Sequence, residues 1–387
     1  VLGVRAGFLG AVLLIGCSAN EPWSNQDAAV SQPAQPDGDL VPKGPIETAE
    51  AGSRRIEINF GQTALHHARA SCPQGEAFAP PQPIDVAAAE LGLGKADAVT
   101  EALAPKVTYA GGWHLTSDEP NFGGLSGLDI LESGDLLAVS DAGAFVQIGM
   151  DNGKPDGHGA ISYMRGEDGK LLDGKRSSDS EGLHIGFGLA AVSFERDHRI
   201  AVFNFDGCGA AARGVLVGPG SIVSVTGDPP ESGLPEDLPE NGGLEALTFH
   251  EDNFLTGLEA GGQDGTPLFR PSIFGGQFYA AGDLRTPSGM KLTGLDTLGG
   301  STFALFRRYL PLFGNTIEVR RYGALTDEGE TLLRLERPLT VDNFEGVAAI
   351  GLEDDTVRLY VISDDNFSER QRTLLLTFDV APDGAPN

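Results

Sequence analysis

One short pattern, repeated five times, limits what this chain can fold into more than any other feature. A polar residue, a small residue and an aliphatic residue recur as Ser126-Gly127-Leu128, Glu181-Gly182-Leu183, Glu245-Ala246-Leu247, Thr293-Gly294-Leu295 and Glu345-Gly346-Val347, with central positions 55, 64, 48 and 52 residues apart. Self-similarity at such a period marks an array of supersecondary units. The residues between the copies read as short strands with turn signals, so the expected fold is all-β, a β-propeller. Five repeats are counted, and the extended runs within residues 54–116 leave room for a sixth blade. Only three strands are readable in the last repeat, and an N-terminal strand from 54–116 is expected to complete that sheet and close the ring.

A second column runs beside the first. Thirteen or fourteen residues after each central position a strand ends on a charged residue: Asp141, then Glu195-Arg196, Glu259 and Arg307-Arg308. In the last unit the gap is 18, lengthened by the turn Glu353-Asp354-Asp355, and the strand Thr356–Ser363 stops at Asp364-Asp365-Asn366. A hairpin of two five-residue strands needs such a spacing. With the first strand innermost, both columns converge on one rim of a central channel. The expected metal ligands there are Asp141, Glu181, Glu259, Glu345, Asp364, Asp365 and Asn366, because calcium takes six to eight oxygens from carboxylates, amides and water. Glu245, Glu195, Arg196, Arg307 and Arg308 are the expected catalytic groups, the arginines offering paired donors to phosphate or carboxylate. Plain alternatives stand beside this: a glycine after a polar residue also starts strands, charged strand ends also serve as solvated edges, and the arginines also neutralise neighbouring acids. The shared period favours function.

With 387 residues, 54 Gly, 24 Pro and 40% hydrophobic residues, the chain can form one large β domain or two ordinary ones. A net charge of -28 speaks against nucleic acid, whose phosphates require a basic patch. Acidity alone otherwise serves solubility. Arg5 precedes an apolar run, Ala6–Ile15, too short to span a bilayer and suited to a signal-peptide core. Its ending, Leu14-Ile15-Gly16-Cys17, resembles the lipobox of bacterial lipoproteins, which implies lipidation of Cys17; an ordinary secretory signal is the alternative. The expected organisation is a lipoprotein signal peptide over 1–16, a lipidated flexible tether over 17–52 rich in Ser, Ala, Gln, Pro and Asp, and a propeller domain over 53–387. A monomer held by its lipid on the periplasmic side of the cell envelope, at the outer membrane, follows from that reading. Cys72 and Cys208 then remain as an even pair in an oxidising compartment, read as a disulfide, with two isolated buried thiols as the alternative.

Other chemistries find little support. The run Gly124 to Leu128 around Ser126 lacks the second glycine of a nucleophile elbow and leads into a strand. The histidines, among them His114, His184 and His250, show no HExxH and no paired Cys spacing, which disfavours zinc. No Gly-rich loop precedes a helix, so nucleotide binding has no anchor.

Several stretches, taken in order, resemble the phytase-like family named for the esterase-like activity of phytase. They are Phe122-Gly-Gly-Leu-Ser-Gly-Leu128 with Ala138-Val-Ser-Asp141, Asp179-Ser-Glu-Gly-Leu183 with Val192-Ser-Phe-Glu195-Arg196, Asn241-Gly-Gly-Leu-Glu245, and Asn343-Phe-Glu-Gly346 with Ser363-Asp-Asp-Asn-Phe367 and Gln371-Arg-Thr373. The resemblance covers roughly residues 106–380. It implies a β-propeller like that of the calcium-dependent alkaline phytases, which cleave phosphomonoesters. By motif, it carries site roles to Asp141, Glu181, Glu195, Arg196, Glu245, Glu345, Asp364, Asp365 and Asn366. The fourth repeat departs from the pattern, with Thr293 and Arg307-Arg308 where other repeats have acids. The expected function is an exported calcium-dependent hydrolase of small phosphate or carboxylate esters, with a lactonase-like propeller hydrolase as a related reading. The alternative is a non-catalytic lipoprotein that binds a ligand or an envelope partner at the same rim.

Overall fold

The computed structural model describes residues 60–217, 241–251, 253–259, 265–271 and 278–383. Cys17, the expected signal peptide and the expected tether lie outside them. Ile58–Asn387 forms one compact unit. It opens with helix α1 (Phe60–Ser71) and the strands β1 (Gln82–Asp85), β2 (Ala87–Glu90) and β3 (Val107–Thr116).

Four-stranded hairpin units follow. Blade one has β4 (Leu125–Ile130), β5 (Leu136–Ser140), β6 (Ala144–Asp151) and β7 (Lys154–Tyr163), with β1 on its outer edge. Blade two has β8 (Ser180–Gly186), β9 (Leu189–Phe194), β10 (Arg199–Phe203) and β11 (Val215–Leu216). Blade three has β12 (Leu244–His250), β13 (Asn253–Leu258), β14 (Thr266–Pro271) and β15 (Phe278–Leu284). Blade four has β16 (Lys291–Leu298), β17 (Ser301–Leu310), β18 (Gly314–Tyr322) and β19 (Glu330–Glu336). Blade five joins β20 (Phe344–Gly351), β21 (Val357–Ser363) and β22 (Leu374–Val380) to β3 and β2. The first strands β4, β8, β12, β16 and β20 are innermost and touch one another in turn, β20 returning to β4.

Two expectations are corrected here. Of residues 54–116, the described ones, 60–116, build no sixth blade, because their strands are shared between the first sheet and the last. Strand β3 does complete the last sheet, but it does not close the ring: among the described residues all five sheets are open, none is closed by hydrogen bonds, and no strand of one sheet pairs with a strand of the next. Apolar packing closes it instead. In β5, Leu136 and Ala138 pack towards blade five with Trp113, Tyr360 and Ile362, while Leu137 and Val139 pack towards blade two with Leu183 and Val192. Both faces of a middle strand are therefore buried, and its sequence is continuously apolar rather than alternating. Each of five such clusters fills one junction between blades.

The small residue of the repeat has a steric cause. A Cβ on Gly127 would stand 2.5 Å from the Leu183 backbone nitrogen and 2.6 Å from the Glu181 carbonyl oxygen of the next inner strand. The inner strands of blades one and two leave no room for it. Cys72, just past α1, is disulfide-bonded to Cys208 of blade two, with Cα atoms 5.7 Å apart.

Candidate functional site

Each inner strand carries one extra residue near its start. The register slips between Leu125 and Leu128, Ser180 and Leu183, Leu244 and Ala246, Leu292 and Gly294, and Phe344 and Gly346. A bulge leaves a residue unpaired and re-aims its side chain. The residues at these slips are Ser126, Glu181, Glu245, Thr293 and Glu345. On the neighbouring strands, Asp141, Glu195, Glu259 and Asp364 each come one step past the last paired residue. Their N–H groups donate to the carbonyls of Gly124, Asp179, Gly243 and Asn343 at 2.9, 3.0, 3.2 and 2.9 Å. In blade four the same place is taken by Arg307, paired with Lys291.

Contacts between blades join these residues into one network. Arg307 lies 3.1 Å from Glu345 and 3.5 Å from Glu259, and donates to the Asn343 amide oxygen. The Asn343 amide nitrogen donates to Glu345 at 2.9 Å and to Asp364 at 3.2 Å. Ser126 reaches Glu345 at 3.5 Å, Lys291 pairs with Glu259 at 2.8 Å, and Glu195 accepts from the Gly242 N–H. Carboxylate oxygens of Asp179, Glu181 and Glu195 lie within 4.8 Å of one another, as do those of Glu195, Glu245 and Glu259. Either group can hold a metal ion. Their all-oxygen donors suit a hard cation.

Crowding and desolvation set the electrostatics. Burial, then the neighbouring carboxylates, pushes Glu181 and Glu245 well above the usual carboxylate range. Glu195 and Glu345 are raised by burial against opposition from the Gly242 N–H and from Arg307, respectively. Burial and then Glu345 push Asp364 up to about 8. Burial raises Asp141, against the pull of Lys175, 3.4 Å away. Burial disfavours the charge on Arg307, but the surrounding acids outweigh it and its pKa rises. A bound cation would act on the whole cluster in the opposite sense, favouring the charged carboxylates.

The remaining sequence candidates sit differently. Arg196 pairs with Asp179 at 2.5 Å. Arg308 follows Arg307 on β17 and so faces the other side of the sheet; its Nε is buried without a hydrogen-bond partner among the described residues. Asp365 accepts from the N–H groups of Gly124 and Phe367 and from the Thr373 hydroxyl, which makes it a tie between its turn in blade five and the start of blade one. Asn366, with φ of 50°, donates its N–H to Asp364 and shapes the same turn. Asp179, Lys291 and Asn343 belong to the network but are absent from the sequence candidates. They stand two residues before Glu181, Thr293 and Glu345, a third column at constant offset that the sequence does display.

The family model for phytase-like proteins, described as esterase-like activity of phytase, matches residues 120–367. The chain belongs to this family. The phytase-like match spans the inner strands of all five blades and every ring residue named above. No curated protein matches the chain. Among solved structures, similar chains include a protein of unknown function from Dyadobacter fermentans (12% identity, 79% of this chain and 96% of that one, TM-score 0.39). Another is the glutaminyl cyclase of Myxococcus xanthus (12% identity, 71% and 97%, TM-score 0.38). A third is a family 43 endo-arabinanase from Bacillus licheniformis (12% identity, 67% and 96%, TM-score 0.38).

Proposed function

We propose that the chain is a metal-dependent hydrolase of small phosphate or carboxylate esters that works at the carboxylate ring. The observation that supports it is the delivery, by the bulged inner strands of blades two and three and the strands beside them, of five acids into two overlapping groups with oxygens within 4.8 Å. The ring holds eight carboxyl groups, Asp141, Asp179, Glu181, Glu195, Glu245, Glu259, Glu345 and Asp364, against the four cations Lys175, Arg196, Lys291 and Arg307. Such an excess invites divalent cations, and the oxygen donors favour calcium. Glu181, Glu195, Glu245 and Glu259 would hold the ion, which when bound supplies Lewis acidity to a phosphoryl or acyl oxygen. Glu245, whose pKa is raised first by burial and then by the neighbouring carboxylates, is the ring group best suited to hold and give up a proton. Arg307 and Asn343 fix Glu345 in place.

An apolar rim favours carboxylate esters within this class. Strand β17 runs on from Arg307 into a hairpin tip where Leu312 is 88% and Phe313 69% exposed, beside the exposed Tyr309. The non-reacting part of an acyl ester could rest there. Placement in the cell envelope through a lipid on Cys17 is part of the same proposal and rests on residues 6–17. The test is turnover of a chromogenic phosphate and a chromogenic acyl ester with calcium and with chelator. Activity is expected to vanish with chelator and to fall at least about 100-fold in Glu245→Gln. Turnover indifferent to chelator, to Glu245→Gln and to Asp364→Asn would remove the metal-hydrolase reading. No turnover of either ester, with calcium bound, would leave the ring as a binding site only.

A further inference from the structure

The inner strands carry another ring further along the channel. Three residues beyond the bulges at Ser126, Glu181, Glu245, Thr293 and Glu345 stand Asp129, His184, Thr248, Asp296 and Ala348, in register opposite Leu137, Ala191, Leu255, Phe303 and Tyr360. Three steps along a strand separate the two rings by about 10 Å. One ligand atom each from Asp129, His184 and Asp296 lies within 4.8 Å of the others, although they come from blades one, two and four.

Both acids are deeply buried, Asp129 at 1% and Asp296 at 2% exposure. Each is fixed by two backbone donors. Asp129 accepts from Ile130 and, across the junction, from Ile185, both at 2.6 Å; Asp296 accepts from Thr297 and, across the junction, from Ala349, both at 2.7 Å. His184 stacks on Phe249, ring centroids 5.8 Å apart, with its Nδ1 3.5 Å from Asp129. The independent observation is Thr248. It is fully buried, and its Oγ1 has no hydrogen-bond partner among the described residues. It shares its strand position with the three converging residues, on the inner strand that lies between those carrying His184 and Asp296. A buried hydroxyl without a partner is costly, and a cation is a partner it can take.

We propose that Asp129, His184, Thr248 and Asp296 form a structural site for a divalent transition cation of the zinc class, separate from the carboxylate ring. Imidazole nitrogen with carboxylate and hydroxyl oxygen is a donor set for such ions rather than for calcium. Because no sheet is closed by hydrogen bonds, an ion joined to four blades at once would tie the ring together and block the channel beneath the carboxylate ring. This inference does not depend on the hydrolase reading.

Chelator-stripped protein, saturated with calcium to fill the carboxylate ring, is titrated with zinc chloride by calorimetry and melted with and without zinc. One equivalent is expected to bind and to raise the melting temperature. His184→Gln and the near-isosteric Thr248→Val are expected to weaken binding at least about tenfold, while Glu245→Gln leaves it unchanged. Asp296→Asn, which keeps an oxygen for only one of the two backbone donors, is a further loss variant. No bound equivalent, binding untouched by His184→Gln and Thr248→Val, or binding lost in Glu245→Gln would overturn the proposal and leave Asp129 and Asp296 as ties between strands.

Discussion

Asp364 illustrates what the ring does to a single group. Its carboxyl is pushed up to about 8, first by burial and then by Glu345, so the folded protein keeps a proton that the unfolded chain releases near pH 4. The stability this group contributes is therefore full below about pH 4 and is lost as pH rises towards 8. Glu181 and Glu245 move in the same direction. Chelator-treated protein is expected to melt at falling temperature from about pH 5 to about pH 8, and calcium is expected to flatten that slope. Thermal melts across pH with and without calcium check it, and stability that rises over this range without metal contradicts it. Arg307 is the counterweight. Arg307→Ala would strip Glu345, Glu259 and Asn343 of their shared partner and is expected to cost about 3–5 kcal/mol in metal-free denaturant unfolding, with part restored by calcium. At this scale the glutamates were legible because each follows a fixed offset. Arg308 falls on the other side of β17 from Arg307 because adjacent strand positions face opposite sides, and the oxygens of Asp365 are engaged by N–H groups of its own turn and of blade one.

Among the elements, the middle strands could be read directly. Residues 136–139, 359–362 and 374–376 are continuous apolar runs because both faces are buried between blades. The outer strands could not. β7 begins Lys-Pro-Asp-Gly-His-Gly, largely exposed, and is held as a strand by pairing with β6 and β1 rather than by its own pattern. Helix α1 was equally hidden, since it follows residues that alternate like a strand. The bulge is the element on which the site depends, and its small residue makes a test. Gly127→Ala would drive a methyl into the backbone of blade two and is expected to destabilise by about 1–3 kcal/mol or more. Denaturant midpoints check this, and an unchanged midpoint would show that the junction has slack.

Viewed as a whole, the molecule is five open sheets kept in a ring by apolar junctions, with β1, β2 and β3 carrying the chain from the outer edge of blade one to blade five. The repeat period disclosed five blades and left a sixth open. How the ring closes was not disclosed, because packing across the junction of the first and last blades is a long-range property with no local pattern. The Cys72–Cys208 disulfide spans 136 residues, and its removal in a double Cys→Ser variant is expected to cost about 2–5 kcal/mol, read as a lower denaturant midpoint. The central claim is that the bulged strands build a cation site from carboxylates of different blades. An anomalous-difference map from crystals soaked in calcium tests it most directly. The account predicts a peak at about 2.3–2.6 Å from carboxylate oxygens of Glu195 and Glu245; a ring with no peak, its acids still held by Arg307 and Asn343, would contradict it.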